Sequence, residues 1–138
     1  MSATLPLNLT DQDKATIRSA AYGAVSLISA ASGKAHKAAT AGSLALGSAT
    51  GQIGHLLNTK SKDIHLTGKT VADLADQVLP ALTSAAAVLE QQNPAEADNF
   101  RTTVLVAIEA AAATGRNGSA SPVVTDMTRK ITTALHAA

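Results

Sequence analysis

From Ala38 to Thr59 the chain carries no Asp, Glu, Lys or Arg. Just before and within this stretch, small residues recur at every fourth position: Ala35, Ala39, Ser43, Gly47 and Gly51. On a helix that spacing stacks them into one nearly straight ridge. Leu44, Leu46, Ile53, Leu56 and Leu57 flank the ridge. Such a segment has one flat side, where another backbone can come close, and apolar flanks that need burial. The expectation is an all-α helical bundle with this Ala/Gly-rich segment as its central helix. Ala39, Ser43, Gly47 and Gly51 are then the surface for interaction or close helix packing.

Gly42, Gly47, Gly51 and Gly54 all fall in this helix. A mid-helix Gly costs roughly 0.5–1 kcal/mol relative to Ala, so the set needs an offset. Close packing supplies one; room for a ligand or a partner helix against bare backbone, or a hinge, supplies another.

The flanking helices follow from caps and periodicity. Thr10 reads as an N-cap, with Asp11 and Asp13 in the first turn. The first helix should run from Asp11 to Ala31, with Ile17, Ala20, Ala21, Ala24, Leu27, Ile28 and Ala31 inward. Residues 1–9 read as an irregular arm, and residues 10–138 as a single helical-bundle domain. Ser32-Gly33 breaks the first helix. The second should run from Lys34 to Asn58 and form an antiparallel hairpin with the first. Residues 58–69 form the most polar stretch and read as a loop.

Thr70 should cap a third helix, with Asp73 three residues on and Val71, Leu74, Ala75, Val78, Leu82, Ala85, Ala86 and Leu89 in its stripe. Pro80 lies inside this pattern and is expected to kink or split the helix around Val78–Leu79. Asn93-Pro94-Ala95-Glu96 reads as N-cap, Pro at the first helical position, and Glu closing a capping box. Ala97, Phe100, Val104, Ala107, Ile108 and Ala111 then face inward, and Gly115 ends the helix. Ser121-Pro122 opens a last helix with Val123, Val124, Met127, Ile131 and Leu135 on one side. No period-2 run of β-branched residues occurs. The count is five helices, or six if Pro80 splits one.

Composition narrows the chemistry. Tyr22 and Phe100 are the whole aromatic set, although 46% of residues are apolar. An Ala-dominated core buries little area per residue at about 25 cal/mol per Å², which favours a homo-oligomer or a partner protein. Without Cys there is no disulfide, thiolate ligand or Cys nucleophile. Residues 1–69 carry a net charge of +4 and residues 70–138 carry −3. These charges are spread too thinly for a nucleic-acid face, and two aromatics provide little base stacking. The start lacks the basic and continuous apolar regions of a signal peptide, so a cytoplasmic protein is expected. Thr40, Ser43, Ser48, Thr50, Gln52 and His55 dilute the uncharged stretch too far for a membrane span.

Three constellations carry possible chemistry. Thr67-Gly68-Lys69-Thr70 matches the end of a phosphate-binding loop, but the required earlier Gly is Asp63 and no strand precedes it. His55, Asp63 and His65 could converge at the polar loop, yet their spacing is no established metal pattern. Glu109 stands out only as a carboxylate beside Ile108 and Ala110. No Gly-x-Ser-x-Gly elbow occurs. Ile17-x-x-Ala20-Ala21-x-x-Ala24-Val25-x-x-Ile28-x-x-Ala31 resembles the Ala-rich vinculin-binding helices of talin-like rod bundles, which implies a face able to serve as an interaction surface once exposed.

The leading expectation is therefore a non-enzymatic interaction or structural protein that self-associates, without a cofactor or metal. The alternative is a small-molecule- or metal-binding, even catalytic, bundle. Its site would be His55, Asp63, His65 and Lys69, in the 55–69 region beside Gly47 and Gly51.

Overall fold

A computed structural model describes residues 7–32, 35–58, 66, 70–114 and 122–137. The described residues form an all-α bundle of six helices: α1 (Asp11–Ser32), α2 (Ala35–Gly47), α3 (Gly51–Asn58), α4 (Val71–Gln92), α5 (Pro94–Ala112) and α6 (Pro122–Leu135). Among them no helix is long and apolar enough to cross a membrane.

The hub is α1, which packs on each of the other five helices. Its face of Ile17, Ala20, Ala21, Ala24, Leu27 and Ile28 is fully buried, so the face that resembles talin-rod helices is core here. Small residues bring the neighbours close. A Cβ on Gly23 would stand 2.5 Å from Val78 Cγ2 on α4. A Cβ on Gly42 would stand 2.6 Å from Val25 Cγ1 on α1 and 3.3 Å from the Ala107 carbonyl oxygen on α5. Val25 and Gly42 lie symmetrically about the 33–34 connection, which is the register of an antiparallel hairpin. Phe100, Leu82, Leu89, Ile108 and Ile131 fill the interior with no exposure.

Several caps fall where the residue types place them. Thr10 and Asp13 cap α1 reciprocally: Asp13 N–H donates to Thr10 Oγ1 at 3.0 Å, and Thr10 N–H donates to Asp13 Oδ2 at 3.2 Å. Asp73 N–H donates to Thr70 Oγ1 at 3.0 Å, which starts α4. Asn93 alone separates α4 from α5. Its N–H donates to Leu89 O at 2.7 Å, and its Oδ1 accepts from Ala95 N–H at 3.1 Å.

Three expectations need correction, and one open alternative is decided. The Ala/Gly-rich segment is not one central helix; it packs on α1 and α5 as two helices. Ser48 and Ala49 close the end of α2 with tight i→i+3 bonds to Ala45 and Leu46. Gly51 then takes φ +74°, a left-handed backbone, at the start of α3. Gly54 sits against the break between the two helices, where a Cβ would stand 2.3 Å from the Ala49 carbonyl oxygen.

The ridge is consequently not straight, and its middle faces outward. Ser43, Gly47 and Gly51 are exposed and Ala39 is half-buried; Ala38, Gly42 and Leu46 form the buried edge.

Pro80 does not split its helix, because α4 runs unbroken from Val71 to Gln92. Pro80 and Asp76 both lie on the exposed side, where water can satisfy the Asp76 carbonyl that Pro80 leaves without a donor. The sixth helix therefore comes from the break after Gly47. Val123, assigned to the apolar side of the last helix, is 61% exposed in its first turn. Gly115 lies outside the described residues.

Candidate functional site

The site is built around α3, a helix of eight residues. Helices this short are marginal in water on their own, and side chains from elsewhere hold this one at both ends. At its start, Ile53 N–H donates to Glu96 Oε1 at 3.2 Å. Asn99 Nδ2 bridges the same junction, donating to the Thr50 carbonyl at 2.9 Å and to Glu96 Oε1 at 3.4 Å. At its end, Arg18 Nε donates to the Leu56 carbonyl at 3.0 Å and Tyr22 OH donates to the Leu57 carbonyl at 3.0 Å. A carboxylate thus meets the positive end of the helix dipole and a guanidinium meets the negative end.

Glu96 departs from its expected role here. It does not close a capping box on Asn93, whose N–H is already committed to Leu89 O. It reaches across to α3 instead, and it is only 9% exposed.

Of the expected arm, residues 1–6 lie outside the described residues, and residues 7–9 are tied to this assembly. Leu7 N–H donates to Gln52 Oε1 at 2.8 Å. Asn8 and Gln92 pair through two bonds, Asn8 N–H to Gln92 Oε1 at 2.6 Å and Gln92 Nε2 to the Asn8 carbonyl at 3.0 Å. Leu7 and Leu9 are half-buried against the core.

Between the arm, α1, α3 and α5 lies a groove of about 660 Å³. Leu7, Leu9 and Leu56 supply apolar wall; Lys14, Arg18, Gln52, His55 and Glu96 supply polar wall; Gly51 leaves backbone bare. A Cβ on Gly51 would stand 3.3 Å from Asn99 Nδ2 and 3.5 Å from Glu96 Oε2, so bare backbone lies against this carboxylate.

Of the residues singled out from sequence, Gly51 and His55 line this groove, while Gly47 does not. Asp63, His65 and Lys69 lie outside the described residues. Among the described residues no group of three His, Cys, Asp or Glu side chains is placed to hold a metal ion. Glu109 is exposed on α5. Lys14, Arg18, Gln52 and Glu96 were not singled out as site residues. Two of them carried a legible signal. Arg18 is three residues before Ala21, and Glu96 four before Phe100, so each falls on a buried stripe. A charge at such a position is held by tertiary contacts.

A second, shallow depression lies on the outer face of α2, lined by Ala39, Thr40, Ser43 and Leu44, with Leu44 69% exposed.

No family model, curated protein or solved structure matches the chain.

Proposed function

We propose that this chain is a non-enzymatic binding protein that holds a small amphipathic molecule in the groove beside Leu7 and Leu9. The observation that carries this reading is the groove itself. Its volume of about 660 Å³ falls in the range usual for small-molecule sites. Its lining combines three leucines with a few charged and amide groups, the mixture that fixes an amphipathic molecule by burial at one part and hydrogen bonding at another. The groove is also firmly framed, since α3 is held from α1 and α5 and the arm is tied to α3 and α4.

The test is a titration followed by amide NMR with short-chain aliphatic acids, amines and alcohols. Binding here shifts the amides of Leu7, Gln52, His55 and Leu56 and leaves α6 unmoved. If no probe shifts those amides at millimolar concentration, the reading fails.

Self-association is a second reading, favoured by one observation. Leu44 stands 69% exposed on the α2 face that also carries Ser43 and Gly47. Light scattering over a dilution series tests it. A dimer that Leu44→Glu converts to a monomer supports this reading, and a monomer at all concentrations ends it.

A further inference from the structure

Besides Arg18, whose guanidinium is engaged at the end of α3, the groove contains two opposite charges that do not meet. Lys14 and Glu96 both line it, yet no ion pair within 4.0 Å joins them, and neither forms one with any other described residue. Glu96 is 9% exposed, and its two described donors, Ile53 N–H and Asn99 Nδ2, both go to Oε1. Oε2 has no hydrogen-bond partner among the described residues. A carboxylate buried to that degree needs a donor or a cation at each oxygen. The dipole of α3 contributes only a partial positive charge at one side. Lys14 Nζ likewise has no acceptor among the described residues.

We propose that the groove is built for a zwitterion, a small aliphatic amino acid whose ammonium group meets Glu96 Oε2 and whose carboxylate meets Lys14. This deepens the binding reading above and rests on it. Leu7, Leu9 and Leu56 cover the hydrocarbon part. A molecule with only one of the two charges leaves the other protein charge without a partner and forfeits that part of the binding.

Four probes of equal chain length separate the possibilities: 6-aminohexanoate, 2-aminohexanoate, hexanoate and hexylamine, each titrated by amide NMR. At least one amino acid should bind about tenfold or more tightly than both hexanoate and hexylamine. Glu96→Gln retains an acceptor for Ile53 and should remove the advantage over hexanoate. Lys14→Met should remove the advantage over hexylamine. Lys14 takes no part in the hydrogen bonds at the junction that Glu96 holds, so this variant tests the idea even if Glu96→Gln disturbs α3. If hexanoate or hexylamine binds as tightly as both amino acids, the zwitterion assignment is wrong while the binding reading stands. If none of the four shifts the groove amides, and neither do the alcohols of the wider panel, both are wrong.

Discussion

Arg18 and Glu96 grip opposite ends of the same helix: Arg18 Nε bonds the Leu56 carbonyl at 3.0 Å, and Glu96 Oε1 accepts from Ile53 N–H at 3.2 Å. The two residues belong to α1 and α5, so α3 is fixed relative to both. Replacing Glu96 with Ala leaves Ile53 N–H buried and without its acceptor. The expected loss is about 1–3 kcal/mol in urea unfolding, and Glu96→Gln should recover most of it. Equal losses for the two variants would show that the acceptor is not what holds α3.

Arg101 does for α6 what Arg18 does for α3. Its Nε donates to the Leu135 carbonyl at 2.9 Å, while Nη1 reaches Glu90 at 3.2 Å and Asp98 at 3.1 Å. Arg101→Met keeps the apolar stem and removes these bonds. Stability should fall by roughly 1.5–3 kcal/mol, and hydrogen exchange should quicken most in the last turn of α6. An unchanged exchange rate there would dismiss Arg101 as its anchor.

Gly54 and Gly47 should respond in opposite directions to Ala. A Cβ at Gly54 meets backbone at 2.3 Å, while a Cβ at Gly47 meets nothing closer than Asn58 Oδ1 at 3.4 Å. Gly54→Ala should cost about 1–3 kcal/mol through displaced backbone, which lowers Tm by several degrees. Gly47→Ala, on an exposed helical position, should be neutral or stabilise by up to about 1 kcal/mol. Calorimetry of the two variants side by side checks the contrast.

Asp126 supplies a pH dependence of known sign. Hydrogen bonds from Lys130 and Arg129 hold its carboxyl below the usual aspartate range. A carboxyl whose value is lowered on folding contributes stability above the unfolded value, and loses it as pH falls through the folded one. The wild-type Tm should therefore drop slightly more than that of Asp126→Asn on acidification below about pH 4. The difference should shrink in salt, because the group is exposed.

The parts legible in the sequence are those governed by neighbours a few residues apart. The Thr10 and Thr70 caps, the Asn93-Pro94 start of α5 and the stripe from Ile17 to Ile28 depend on local hydrogen bonds and a 3.6-residue period. The break before α3 depends on the backbone of Gly51 and on its fit against Glu96 and Asn99, more than forty positions away. A period-four ridge of small residues reads the same whether it runs straight or is broken between two helices. Likewise, Glu96 satisfies the local capping-box pattern, and only the commitment of Asn93 N–H to Leu89 O sends it elsewhere. The groove was partly legible, since Gly51 and His55 already marked its region. The arm and the first turn of α1, which bring Leu7, Leu9 and Lys14, reach it only through tertiary packing.

The dependence of α3 on distant side chains also sets an order of events in folding. Eight residues with a glycine, Gly54, in the interior cannot nucleate a stable helix, and the groups that secure this one arrive on α1 and α5. The contact between those two helices must come first, with α3 condensing onto the pair late and the groove appearing last. Substitutions within α3 should then change the unfolding rate and leave the refolding rate nearly untouched.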